Sequence, residues 1–200
     1  QYLQGVTGSG KTEVYLNLVY DCLKINQNVI FLVPEIALTP QFVNIFKERF
    51  GELVAVFHSK ISDRQKYMEW KHLLEGRKRV VIGARSALFS PVPRLGLIIL
   101  DEEGEGSYKQ DTSPFYDARR VAEKKARIMN SKLIMGSATP SLNAWSRIQS
   151  GEIPCQTMHQ RHNQFELPEI SIIDLKNEFK SGNYSVFSRE LKNKMEREIN

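Results

Sequence analysis

A parallel β-sheet covered by helices on both faces is the α/β fold class that this 200-residue sequence predicts. Three observations lead there. Apolar runs at residues 29–33, 80–82 and 97–100 are continuous, the mark of strands buried on both faces. Helical patterns separate them, which implies right-handed crossovers and parallel pairing. The run Gly5-Val6-Thr7-Gly8-Ser9-Gly10-Lys11-Thr12 fits G-x-x-x-x-G-K-[ST] in full, in the strand-to-helix position where such sheets carry phosphate loops.

The elements follow in order. Tyr2-Leu3-Gln4 closes a strand, and Glu13 through Val19 continues as an amphipathic helix whose N-terminus favours anions. Residues 29–33 form the next strand, 38–50 a helix and 53–57 another strand. Ser62-Asp63-Arg64 opens a helix running to about Glu75, with Gly76 as its stop. After the strands at 80–82 and 97–100, a helix from about Tyr116 to Met129 leads to a strand at 132–135, and 140–149 reads as one more helix. From about Gly151 the alternation loosens. Glu166-Leu167-Pro168-Glu169 reads as a linker and Ile170-Ser171-Ile172-Ile173 as a strand. Ser188 then caps a charged helix from Arg189 to Ile199. The expected division is one nucleotide-binding lobe over 1–165, then a linker and the truncated beginning of a second lobe over 166–200. The chain enters the glycine loop almost at once, so upstream sequence is expected.

Composition narrows the classes. Hydrophobic residues make up 41% and charged residues 26%, ordinary for a globular protein. No apolar stretch approaches the roughly 20 residues that cross a bilayer, so no membrane partner is expected. Cys22 and Cys155 are too far apart in sequence to suggest a disulfide framework or a paired-cysteine zinc motif, a usage that suits a reducing cytoplasm. Cys22 reads as a core thiol. The formal charge of +5 permits a polyanionic partner without requiring one.

The chemistry-bearing runs lie at strand ends, where ligands of such sheets gather. In the glycine loop, N–H groups curl inward around phosphates, Lys11 reaches the β- and γ-phosphates of ATP, and the Thr12 hydroxyl holds Mg²⁺. Asp101-Glu102-Glu103 follows a buried strand, where charge is costly unless a metal or hydrogen bonds compensate it. With a phosphate loop upstream, Asp101 is read as engaging Mg²⁺ through water and Glu102 as polarising the attacking water. A solvated acidic turn is the plainer alternative. Ser137 and Thr139, in Gly136-Ser137-Ala138-Thr139-Pro140 after the next strand, can hydrogen-bond those carboxylates and relay nucleotide state.

Together the loop, Asp101-Glu102-Glu103 and Ser137-Ala138-Thr139 resemble motifs I, II and III of superfamily-two helicases. The surrounding words narrow the resemblance: Thr12-Glu13-Val14-Tyr15, Val33-Pro34-Glu35-Ile36-Ala37-Leu38-Thr39, His58-Ser59, Gly83-Ala84-Arg85-Ser86-Ala87-Leu88-Phe89, Ser107-Tyr108-Lys109-Gln110 and Ser141-Leu142. In these the chain is similar to the PriA family of bacterial primosomal replication-restart helicases across essentially its whole length. The resemblance implies a RecA-like P-loop lobe of a 3′–5′ DNA helicase, with single-stranded and forked DNA, single-strand-binding protein and other primosome proteins as partners in a bacterial cytoplasm. It also implies a zinc-binding insertion and a transition-state arginine, both outside this stretch.

One position departs from the family. Its motif II reads Asp-Glu-Glu-His, whereas position 104 is glycine, which leaves metal and water chemistry intact and puts coupling to movement in question. Gly104 and Gly106 are expected to loosen this loop. Tyr108, Lys109, Gln110, Phe115, Tyr116 and Arg119 interleave aromatics with cations, a pattern that suits single-stranded DNA, or else a core-anchored loop with Phe115 and Tyr116 packed under it. The resemblance makes Pro34, Thr39, Arg85 and Ser86 DNA-backbone contacts; without it, Thr39 is a helix cap before Pro40. Cys155, His159 and His162 have a tempting spacing but lack a fourth zinc ligand, and His58 reads as a packing or backbone-bonded residue. A nucleotide-gated DNA-binding scaffold with weak unwinding is the alternative function. A P-loop metabolic kinase is a further rival, disfavoured by the absence of an acceptor motif.

Overall fold

The computed structural model describes residues 1–59, 61–160 and 170–199. It divides into two compact units, Gln1–Asn163 and Gln164–Asn200. In the first, β1 (Tyr2–Gly5) leads through the glycine loop into α1 (Lys11–Lys24). Then come β2 (Asn28–Leu32), α2 (Pro40–Phe50), β3 (Val54–Phe57), α3 (Asp63–Leu74), β4 (Val80–Gly83) and β5 (Leu95–Leu100). A short antiparallel ribbon of β6 (Lys109–Gln110) and β7 (Tyr116–Asp117) precedes α4 (Ala118–Ile128). The strands β8 (Lys132–Ser137) and β9 (Cys155–Met158), with α5 (Leu142–Gln149) between them, complete the unit.

The seven-stranded sheet has the order β3-β4-β2-β5-β8-β1-β9, with every pairing parallel. Alternate side chains of its central strands leave on opposite faces. Val29, Phe31, Leu97 and Ile99 pack under α1 and α2 with Leu16, Val19, Phe46 and Phe50. Ile30, Leu32, Ile98 and Leu100 pack under the other layer with Leu73 of α3, the Ala118, Ala122 and Ala126 stripe of α4, and Ala144 of α5. The alanines recur every four residues, so one face of α4 lies close against the sheet. Each large side chain buried this way contributes about 1.5–3 kcal/mol. Two apolar layers on a sheet buried on both faces are what the continuous apolar runs predicted.

Helix ends follow local chemistry. Thr39 Oγ1 accepts from Phe42 N at 3.2 Å, and Ser62 and Gln65 form a reciprocal capping box at the start of α3. The helix expected from Tyr116 begins at Ala118, because Tyr116 and Asp117 pair with β6 and the Asp117 carboxylate caps the helix by accepting from Arg119 N at 2.9 Å. Likewise α5 starts at Leu142, capped by Ser141, rather than at Pro140. The loosening expected after Gly151 still includes one more parallel strand, β9, on the free side of β1.

In the second unit, Asp174 caps α6 (Leu175–Lys180), and Ser188 Oγ accepts from Leu191 N at 3.1 Å at the start of α7 (Arg189–Ile199). The strand expected at 170–173 is not formed: these residues lie outside any helix or strand. An apolar, β-branched run becomes a strand only where a neighbour completes its ladder. The expected linker at 166–169 and His162 lie outside the described residues.

Close packing at β4 gives a test of the sheet. A Cβ on Gly83 would meet Phe57 O at 2.4 Å and Ala87 Cβ at 2.6 Å. Gly83→Ala is expected to lower stability by about 1–3 kcal/mol in urea unfolding, and Ser62→Ala by about 1 kcal/mol. A Gly83→Ala midpoint equal to wild type would contradict the close packing of β3, β4 and the turn after it.

Candidate nucleotide site

The strand order sets the site. Because β8 lies between β1 and β5, the carboxyl ends of these three strands bring together the glycine loop, Ser137 and Asp101-Glu102. Gly8 and Gly10 adopt φ of 79° and 91°, left-handed values that let the loop curl before α1 begins. Lys11 is buried; its Nζ donates to Gly5 O at 2.7 Å and lies 3.7 Å from Glu102 Oε1. Val6, Thr7 and Gly8 face solvent, while Ser9 is buried.

Polar atoms left over in the loop suit a polyphosphate. Ser9 Oγ is buried without a hydrogen-bond partner, one of two such side-chain atoms among the described residues. A phosphate oxygen would satisfy it, and the loop N–H groups and Lys11 add positive potential. Thr12 and Asp101 supply an oxygen-only donor pair of the kind Mg²⁺ takes while keeping several waters.

The acidic run divides its labour. Asp101 Oδ1 accepts from Tyr15 Oη at 3.2 Å and from Glu102 N at 3.0 Å. Burial, then the charge of Glu102, pushes the Asp101 carboxyl up to about 6, against the opposing pull of the Glu102 N–H and Lys11. Glu102 is half-exposed, has φ of 50°, and its Oε2 accepts from Ser137 Oγ at 3.0 Å. A non-glycine residue in this region is strained by about 1–3 kcal/mol, a cost met where a side chain must be aimed. Glu103 is 2% exposed and turns inward. It accepts from Tyr2 Oη at 3.1 Å, Ser141 N at 3.1 Å and Ser141 Oγ at 2.7 Å, and lies 3.2 Å from Arg119 Nε. Glu103 is therefore a structural hub, compensated on every side.

The turn after β8 is locked to this run by Ser137, by Ser141 and by a close backbone approach. Ser137 Oγ, while donating to Glu102, accepts from Thr139 N at 3.1 Å and lies 3.1 Å from Thr139 O. A Cβ on Gly104 would stand 2.3 Å from Thr139 O, so glycine here allows two backbones to touch. Gly104 thus serves close approach, a role its sequence context did not reveal.

The remaining rim lies beyond β2, β3 and β4. Thr39, Ser86 and Lys109 are exposed, and Gln110 is half-buried and donates to Thr112 Oγ1 at 2.7 Å. Arg85 Nη1 donates to Ser107 O and Lys109 O, each at 2.7 Å, stapling the loop after β5 to the turn after β4. Tyr116 packs edge-on against Phe89, with ring centroids 5.2 Å apart, while Phe115 is exposed. Three candidates point inward. Pro34 is buried. Tyr108 is 1% exposed, its hydroxyl donating to Asp101 O at 2.6 Å with Leu32 O 3.2 Å away. Arg119 donates to Glu103 O and Glu105 O at 2.8 and 2.6 Å and pairs with Asp117 at 3.1 Å. The Tyr108 ring is consumed by the core, whereas the core-anchored alternative placed Phe115 and Tyr116 under the loop, and Phe115 is exposed. Cys155 and His159 belong to no cluster of metal-ligating residues among the described residues.

Fold and glycine loop together define a RecA-like P-loop lobe of the helicase type. The chain belongs to the DEAD/DEAH box helicase family, which matches residues 2–148. It is 48% identical over 197 residues to replication restart protein PriA of Bacillus subtilis (strain 168), covering 98% of this chain and 24% of that protein. Against the Synechocystis protein of the same name it is 48% identical over 194 residues, covering 94% and 23%. These matches bear out the family resemblance read from the motifs, and the chain spans about a quarter of each relative. Among solved structures, the Pyrococcus furiosus Hef helicase domain superposes with a TM-score of 0.59 at 18% identity, over 79% of this chain and 34% of that one. The DUF1998 helicase MrfA bound to DNA gives 0.53 at 18% identity, over 80% and 25%. Both support the fold alone. No helix among the described residues is long and apolar enough to cross a membrane.

Tyr15, Tyr2 and Ser141 were not singled out as site residues in the sequence. Tyr15 lies one helical turn after Thr12, a spacing that could have flagged it, but an aromatic there reads equally as core. The Glu103 hub is open to measurement. Glu103→Ala is expected to cost about 3–5 kcal/mol by leaving Arg119 buried against a missing charge, with Glu103→Gln retaining part of it. Equal urea midpoints for wild type and Glu103→Ala would refute the hub.

Proposed function

We propose that the chain is the ATP-binding motor lobe of a superfamily-two DNA helicase that moves 3′ to 5′, remodels stalled forks and restarts replication through primosome assembly. One observation carries this reading: a glycine loop with two left-handed glycines, a carboxylate pair and a hydroxyl turn converge at adjacent strand ends, with Lys11 3.7 Å from Glu102 and Ser137 3.0 Å from it. The restart role is supported by the relatives' printed name, replication restart protein.

In this reading Gly5 through Thr12 cradle the phosphates of ATP, with Lys11 leaving Gly5 O to neutralise the β- and γ-phosphates. Mg²⁺, when bound, supplies further charge neutralisation. Thr12 and Asp101 are the residues that would hold it. Glu102, aimed by Ser137 and its own strained backbone, orients the attacking water and takes its proton. The second unit begins a second lobe, a transition-state arginine comes from the rest of that lobe, zinc binds in a C-terminal part outside this stretch, and single-strand-binding protein is a partner of the intact protein. Such an arginine is worth about 10³–10⁵ in rate, so this stretch alone turns over slowly.

DNA crosses the rim formed by Thr39, Arg85, Ser86, Lys109, Gln110 and Tyr116, where hydroxyls and cations meet phosphates and a ring is available for stacking. Pro34, Tyr108 and Arg119 support that rim from beneath. A nucleotide-gated scaffold is the second reading, favoured by Gly104, which has no imidazole to carry nucleotide state outward.

Phosphate release by the full-length protein, with and without single-stranded or forked DNA, decides between these. DNA is expected to stimulate release, Lys11→Ala to abolish it, and Glu102→Gln to slow it about 10²–10⁴-fold while nucleotide still binds. Release indifferent to both DNA and Lys11→Ala would end the motor reading. DNA-stimulated release without strand separation would favour the scaffold.

A further inference from the structure

One buried polar contact at the site is not explained by the roles above. Tyr15 of α1 is fully buried, and its ring is held edge-on by Phe31 of β2, with centroids 5.5 Å apart. Its hydroxyl could be satisfied in many ways, yet it donates to Asp101 Oδ1 at 3.2 Å, beside the Glu102 N–H on the same oxygen. The space for that phenol exists because position 136 is glycine: a Cβ there would lie 1.9 Å from Tyr15 Oη. Gly136 in turn pairs with Leu3 of β1, so it sits on the strand between the two that carry the loop and the carboxylates.

We infer that Tyr15 is a positioning residue for the metal-holding carboxylate. Tyr15 and Gly136 form a phenol and a fitted gap that hold Oδ1 of Asp101 and leave Oδ2 for the cation. Two donors share Oδ1, whereas no protein donor reaches Oδ2 among the described residues. Tyr15 also follows Thr12 by three residues, so both lie on one side of α1. The helix that offers the cation a hydroxyl therefore also orients the carboxylate opposite it. Outer partners of this kind set the geometry and basicity of a ligand, and their loss typically weakens metal binding by about 10–100-fold. The inference rests on the nucleotide-site reading above.

The test uses Mn²⁺ as the probe and ADP as the nucleotide on the full-length protein. Free Mn²⁺ is read by electron paramagnetic resonance at saturating ADP, and ADP affinity is measured separately in EDTA. Tyr15→Phe is expected to weaken Mn²⁺ at least about tenfold, with metal-free ADP affinity unchanged. In an Asp101→Asn background the same change should add no further loss. Gly136→Ala, which evicts the phenol, should reproduce the effect. Unchanged Mn²⁺ affinity in Tyr15→Phe overturns the inference, as does a loss of equal size with and without Asp101, which would mark a general loosening of the fold. Lys11→Ala separates the two readings. If it binds ADP in EDTA as wild type does, the nucleotide site itself is wrong. If it loses ADP while Tyr15→Phe keeps Mn²⁺, only the role of Tyr15 falls.

Discussion

Three consecutive carboxylates at the end of a strand with no exposed residue are the constraint around which this lobe is built. Residues 95–100 are all buried, and the chain passes from them directly into Asp101, Glu102 and Glu103. Charge in such a place must be compensated locally, since isolated burial costs several kcal/mol per ion. Each carboxylate is answered differently. Asp101 takes a phenol and a backbone N–H, Glu102 a serine hydroxyl with Lys11 nearby, and Glu103 a phenol, a serine and an arginine. The first two carboxylates keep few partners while the third is compensated on several sides. The division between chemistry and architecture is thus a division of hydrogen bonds.

Those compensating groups come from every part of the lobe. Tyr2 is on β1, Tyr15 on α1, Ser137 on β8, Ser141 at the start of α5 and Arg119 at the start of α4. Helix starts recur because their orphan N–H groups need caps, and the same serine that caps α5 also donates to Glu103. Two glycines provide the necessary closeness: Gly136 admits a phenol, and Gly104 admits a carbonyl. Glycine loop, acidic run and hydroxyl turn are thus joined by direct contacts.

The rim beyond β2, β3 and β4 is tied to the same run. Tyr108 donates to the carbonyl of Asp101 itself, and Arg85 clamps the carbonyls flanking Tyr108. A ligand competing for the Arg85 guanidinium would therefore act on a loop whose next anchor is the Asp101 carbonyl. The aromatic-and-cation pattern that suggests stacking on bases is shared in the structure between an exposed set and a buried set. Sequence spacing could not separate them, because Tyr108 and Tyr116 look alike until the ribbon of β6 and β7 leaves Tyr116 half-buried against Phe89 and the 3₁₀ turn before it sends Tyr108 into the core.

Much was legible beforehand, for a physical reason. Local patterns announce what local physics dictates: continuous apolar runs become central strands, Ser62 with Gln65 becomes a helix start, and Gly8 with Gly10 permits the left-handed loop. Residues 170–173 misled, since an extended run needs a neighbouring strand that periodicity does not supply. Family membership was also readable, because the words around Gly5–Thr12 and Asp101–Glu103 set particular residue types at fixed spacing. The partners of those residues were settled only by the fold. Tyr15 meets Asp101 across 86 positions and Tyr2 meets Glu103 across 101, contacts created by inserting β8 between β1 and β5. Side-chain identity carries the chemistry in one dimension, whereas burial, strand order and the room left by a missing Cβ exist only in three.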